Sequence, residues 1–152
     1  MGLSRFLRTL LACGAVTSSR AAGQDSAQSL PSCLHYWPHD VRVTGKLVTE
    51  PHYGPPGFGE SPKRDAKLDV PVLLLSHPID VCGNPTSDTD RETFRGVKKL
   101  QVVAVRIKVE GFIGEEIQLV GHLYEAHTAN HYTNVLIFVD SLRLPHQAAR
   151  RL

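Results

Sequence analysis

The sequence is poor in the residues that build redox centres, zinc ribbons and helical cores. Three cysteines, one methionine and one tryptophan occur among 152 residues, and aromatic residues make up 7%. No cysteines are spaced as C-x-x-C, which removes support for thiol redox catalysis and for a zinc ribbon. No stretch reaches the ~20 apolar residues of a membrane-spanning helix. No 3.6-residue periodicity runs long enough for a substantial helix. A G-x-S-x-G elbow is missing. Gly57-Phe58-Gly59 lacks the G-K-[ST] ending of a phosphate loop, and no helical pattern follows it. An excess of one charge is also missing, with 17 Lys+Arg against 15 Asp+Glu. What remains is enough for one folded domain, since 41% of residues are hydrophobic and 21% charged.

The first 23 residues read as an address rather than as structure. Arg5 and Arg8 precede a short apolar run holding Leu10, Leu11, Ala12, Cys13, Ala15 and Val16, and small residues follow up to Gly23. That is the pattern of a secretory signal peptide over 1–23. An amphipathic N-terminal helix on a cytosolic protein is the alternative. Leu10-Leu11-Ala12-Cys13 also resembles a lipobox, which would give a lipid anchor at Cys13, although only four residues separate it from Arg8. Removal of residues 1–21 takes Arg5, Arg8 and Arg20, so 17 − 3 = 14 basic residues face 15 acidic ones and the formal charge becomes −1. Export predicts a periplasmic or extracellular location. Cys33 and Cys82 then remain as an even pair in an oxidising compartment, where a disulfide is the default.

Residues 24–32 form a polar lead-in, 33–144 a single domain and 145–152 a loose tail. Within the domain, Asp40 to Val48 alternates Val41, Val43, Gly45 and Leu47 with polar residues, the period of a strand with one buried face. Ile117 to Tyr124 repeats the pattern with Gly121 in its middle. Val70 to Ser76, Lys99 to Val109 and Thr133 to Leu142 complete five predicted strands, with a short helical insert near 105–111 as an option. His77-Pro78 is expected to end the second strand. Residues 51–69 carry Pro51, Pro55, Pro56 and Pro62 together with three glycines, and predict a long loop. Glu125 to Tyr132 predicts a hairpin loop. Mid-strand glycines and frequent turns point to an all-β fold, a small five-stranded OB-like β-barrel with long loops. A β-sandwich is the alternative.

Several motifs point the same way. Cys33-Leu34-His35-Tyr36, Val43-Thr44-Gly45-Lys46-Leu47, Gly54-Pro55-Pro56-Gly57-Phe58-Gly59-Glu60 and Pro78-Ile79-Asp80-Val81-Cys82 resemble a bacterial exported family termed domain of unknown function 4431. So do Val120-Gly121-His122-Leu123-Tyr124 and the run Ala126-His127-Thr128, His131, Thr133. The resemblance spans about 33–144 and departs over 83–116. It implies an extracytoplasmic β-domain with paired cysteines and implies no activity.

The candidate site residues lie on loops. Tyr53 and Phe58 sit on the stiff Pro-rich loop and offer aromatic contact area at low entropic cost. His122, His127 and His131 form a histidine group that would take zinc or copper if the loop curls. An extended 127–131 would hold two of them ~13 Å apart. The alternatives are a binding surface without metal and histidines that hydrogen-bond the loop internally. His35-Tyr36-Trp37-Pro38-His39 is either a barrel cap or an aromatic platform. Asp88, Asp90 and Glu92 lack the Gly and twelfth-position ligand of a calcium loop and predict a solvated turn. No nucleophile–base pair stands out, so no catalysis is expected. The reading is a binding or interaction module for an unknown protein or small ligand in the cell envelope. The alternative is a small metal-binding protein. Nucleic acid is an unlikely partner, because the short basic runs are interleaved with acids.

Overall fold

A computed structural model describes residues 33–145. The predicted signal segment 1–23, the lead-in 24–32, the anchor candidate Cys13 and residues 146–152 of the tail lie outside the described residues. The chain folds into six strands, β1 (Leu34–His35), β2 (Asp40–Tyr53), β3 (Lys67–Cys82), β4 (Phe94–Val103), β5 (Glu116–Glu125) and β6 (Val135–Arg143). A single 3-10 turn at Glu110–Phe112 lies between β4 and β5, where the sequence allowed a short helical insert.

The strand order is β1-β3-β2-β5-β6-β4, and β3 also pairs with β4, so β2 to β6 form a closed five-stranded barrel with β1 as an added strand. β4 and β6 run parallel where the ring shuts, through Gln101↔Leu136, Val102↔Ile137 and Val103↔Phe138. All other barrel pairings are antiparallel. This is the OB-like barrel that the strand count and glycines predicted, and closure excludes the sandwich.

Alternation explains the core. Val41, Val43 and Leu47 of β2 and Ile117, Leu119 and Leu123 of β5 point inward and are buried. Leu73, Leu100 and Ile137 complete the interior. Two glycines permit the wrap. An added Cβ at Gly45 would strike the Leu74 carbonyl oxygen, and one at Gly121 would strike that of Phe138. Beside Gly121 the ladder slips from Val120↔Ser141 to Gly121↔Val139, leaving Asp140 as the extra residue of a bulge. Val139 and Leu142 meet the core, so the two residues between them, Asp140 and Ser141, are both spared from it.

The strand boundaries depart from the sequence reading in three places. β2 and β3 extend into the predicted 51–69 loop, which shortens it to 54–66. β3 continues through His77-Pro78 to Cys82. Pairing with β4 is interrupted between Leu74 and Ile79, so the missing Pro78 N–H costs no ladder bond there. β4 begins at Phe94 and ends at Val103, earlier than the predicted 99–109 strand. The 83–93 segment is not a wholly solvated turn either. Asp90 is buried and accepts the Glu125 N–H at 3.0 Å, while Glu125 accepts the Glu92 N–H at 2.8 Å.

Cys33 and Cys82 are disulfide-bonded, with Cα atoms 5.7 Å apart across 49 residues of sequence. The bond ties the start of β1 to the end of β3. A loop of that size gives about 4 kcal/mol in the chain-entropy treatment. A Cys33→Ser/Cys82→Ser variant is therefore expected to lose up to about 4 kcal/mol of unfolding free energy in urea titration. Equal midpoints for variant and wild type would show that the bond adds nothing to the fold.

Candidate functional site

The loop between β2 and β3 is organised by one carboxylate. Asp65 is buried and accepts the N–H groups of Gly57 at 2.9 Å, Gly59 at 2.8 Å and Ser61 at 3.0 Å. Backbone bonds from Gly54 to Ala66 and from Ala66 to Pro55 close its base. Burial pushes the Asp65 pKa up, but the three N–H donors outweigh it and hold the carboxyl below its ordinary value. The loop presents Phe58, a non-glycine residue at φ 49°, in the left-handed region. Such a residue stores about 1 kcal/mol or more of strain and persists because its surroundings determine it. Phe58 and Tyr53 are 36% and 39% exposed, unusual for large aromatic side chains.

The loop between β5 and β6 has a different anchor. Gln101 of β4 is buried on the outer surface of the barrel, in register with Val72 and Leu136. Its side chain donates to the Asn130 carbonyl at 3.0 Å and accepts the Tyr132 N–H at 2.7 Å. Its own N–H donates to Thr133 Oγ1 at 2.8 Å, and that hydroxyl donates to the Val135 carbonyl. These bonds lay residues 130–133 across the barrel wall.

Tyr132 ties the second loop to the end of β2, at the base of loop 54–66. Its hydroxyl donates to the Tyr53 carbonyl at 3.1 Å, and its ring stacks on His52 with centroids 4.3 Å apart. Next to this junction lies a hollow of about 520 Å³ lined by Pro51, His52, Tyr53, Lys67, Leu68 and Asp69. A second groove, about 350 Å³, runs between residues 94–99 of β4 and residues 132–135. Lys99 and Arg95 beside it are paired with Glu50 and Asp80, both at 2.7 Å.

The histidine group is divided by the structure. His127 and His131 face each other edge-on, with ring centroids 5.0 Å apart. His131 Nδ1 accepts the His127 N–H at 3.0 Å, and His127 Nδ1 lies 2.9 Å from the Glu125 carbonyl, to which it donates. Each ring thus uses one nitrogen to shape the loop. Burial, then the nearby His127, pushes the His131 pKa down. His122 is not with them. It lies between Asp40 and Asp140, the one group of three metal-ligating side chains that converges among the described residues. In the His35–His39 segment, Tyr36 is buried and donates to the Glu92 carbonyl, whereas Trp37 is 58% exposed. Burial pushes the Tyr36 phenol pKa up. The segment caps the barrel with one ring and exposes the other.

Sequence reasoning missed Asp65, Gln101, Tyr132, Asp40 and Asp140. Gln101 had a signal, being polar inside the apolar run Leu100 to Val105. Asp140 had another, since an acid interrupts Val135 to Val139 just where alternation breaks.

Residues 99–143, from β4 to the end of β6, match the family described as Domain of unknown function (DUF4431), so this stretch of the chain is similar to that family. It includes 99–116, where the motif resemblance was poor. No curated protein matches this chain. No helix among the described residues is long and apolar enough to cross a membrane.

Because the folded Asp65 pKa is lowered, its stabilisation is complete above the ordinary aspartate value of ~3.9 and is lost as pH falls below it. Loop 54–66 is expected to become sensitive to pepsin below about pH 4, and Asp65→Asn is expected to loosen it already at pH 7. Equal amide exchange in Asp65→Asn and wild type at pH 7 would contradict this. Gln101→Ala leaves the Tyr132 N–H and the Asn130 carbonyl without partners, a loss of about 1–3 kcal/mol. Hydrogen exchange at Tyr132 is expected to speed up accordingly; unchanged protection would mean that Gln101 does not hold the loop.

Proposed function

We propose that the protein is an exported binding module rather than an enzyme, and that loops 54–66 and 126–134 form its contact surface. The observation that carries this reading is the junction at Tyr132, which ties loop 126–134 to the end of β2 where loop 54–66 begins. Loops at these positions form the usual binding face of OB-like barrels, an argument from fold analogy. Tyr53 and Phe58 supply exposed apolar area, and their anchored backbones lower the entropic cost of binding. The hollow beside Tyr53 offers Lys67, Asp69 and His52 as polar contacts for a small ligand or for a protein side chain of the cell envelope. Absence of catalysis fits the lack of a nucleophile–base pair in the sequence. Export fits the disulfide.

The test is a comparative pull-down from the exported fraction with the oxidised, processed protein. Wild type and a Val105→Ala control, altered at an exposed site, are expected to retain the same partner or ligand. Tyr53→Ala/Phe58→Ala, with an unchanged circular dichroism spectrum, is expected to lose at least tenfold of it. Equal capture by all three proteins would sink the reading.

A further inference from the structure

The outer face of β2, β5 and β6 carries a cluster that the loop reading does not use. His122 of β5 lies directly across from Asp40 of β2 in the ladder. Asp140 is the bulged residue of β6 on the other side. Three neighbouring strands therefore bring one side chain each together, with the carboxylates on either side of the imidazole, and bulges commonly re-aim side chains in this way. His122 Nδ1 is 3.3 Å from the His39 carbonyl oxygen and 3.4 Å from an Asp40 carboxylate oxygen. His122 Nε2 is 3.2 Å from Asp140 Oδ2.

Every group facing the imidazole is an acceptor. A carbonyl and two ionised carboxylates have no proton to give, and a neutral imidazole has one N–H and one lone pair. If Nδ1–H donates to His39, the Nε2 lone pair faces the Asp140 carboxylate. That nitrogen is the position a metal ion would take, with the negative charge of Asp140 beside it.

We propose that Asp40, His122 and Asp140 bind a divalent first-row transition-metal ion of the zinc class. A metal-ligating histidine typically donates its other ring N–H to a backbone carbonyl or carboxylate, and the His39 carbonyl is placed for that. Two ligands at ~2.0–2.1 Å from a tetrahedral zinc ion lie about 3.3 Å apart, close to the 3.2 Å between Nε2 and Asp140. All three ligand atoms lie within 4.8 Å of one another. The His122 side chain is 24% exposed and held, whereas Asp40 and Asp140 are 75% and 58% exposed and have room to turn. An imidazole with two carboxylates selects transition metals over calcium and magnesium, which prefer all-oxygen sets. His127 and His131 take no part, so this site stands or falls separately from the loop surface.

The experiment uses the processed, disulfide-bonded protein without a histidine tag. Calorimetric titration with zinc at pH 7.5 is expected to show one saturable site, and cobalt is expected to give visible d–d bands there. Asp140→Asn and His122→Gln are each expected to weaken zinc at least tenfold, and His127→Ala/His131→Ala to leave it unchanged. Because Asp140 is exposed, its variant keeps the test valid if His122→Gln does not fold. Calcium and magnesium are expected to give no heat. Imidazole nitrogen shifts in NMR report whether the metal sits on His122. A ring that stays doubly protonated at pH 7.5 in excess zinc overturns the proposal, as does zinc binding that survives Asp140→Asn or disappears with His127 and His131.

Discussion

Five strands close into a ring here only because two pairs of backbones come closer than any side chain allows. At Gly45, β2 passes the Leu74 carbonyl, and at Gly121, β5 passes that of Phe138. The inward stripe of Val43, Leu73, Leu119 and Ile137 is buried because those crossings exist. The same constraint shapes the outer surface. Wrapping β6 around Gly121 produces the bulge at Asp140, so a packing requirement inside the barrel decides which carboxylate stands beside His122 outside it.

The loops are fixed in a second way, through single polar side chains, one within a loop and one on the barrel wall. Asp65 gathers three N–H groups and Gln101 pairs both ends of its amide with loop backbone. These are strong arrangements, since a buried polar group left unpaired is costly. They convert segments that a sequence marks only as turn-rich into surfaces with fixed shape. Phe58 holds its left-handed backbone inside one of these surfaces.

The barrel was legible in the sequence because its signals are local. Alternation around Gly45 and Gly121 gave two strands with their kinks, and the hairpin loop after Tyr124 fell where the structure has it. Contacts between distant segments left no such trace. β1 is two residues long and exists by pairing with Val81 and Cys82, too short for any periodicity. β3 runs past Pro78 because pairing lapses there, which a proline taken alone does not reveal. Asp90 looked like a solvated acid and is instead a buried acceptor for Glu125. The three histidines looked like one group because spacing along the chain hides which face of a strand, and which neighbours, each one meets.

The ring is also tighter at one end of its seam than at the other. β6 pairs with β4 only at residues 101–103, so the segment from Phe94 to Leu100 has one side free of that strand. An uncovered edge invites a strand from another molecule. Here Arg95, Lys98 and Lys99 crowd it, and Gly96 turns the backbone at φ 61° away from a regular pleat. Charge and a broken pleat are the features that keep such edges from templating fibres. The groove beside β4 thus doubles as a safeguard of the seam.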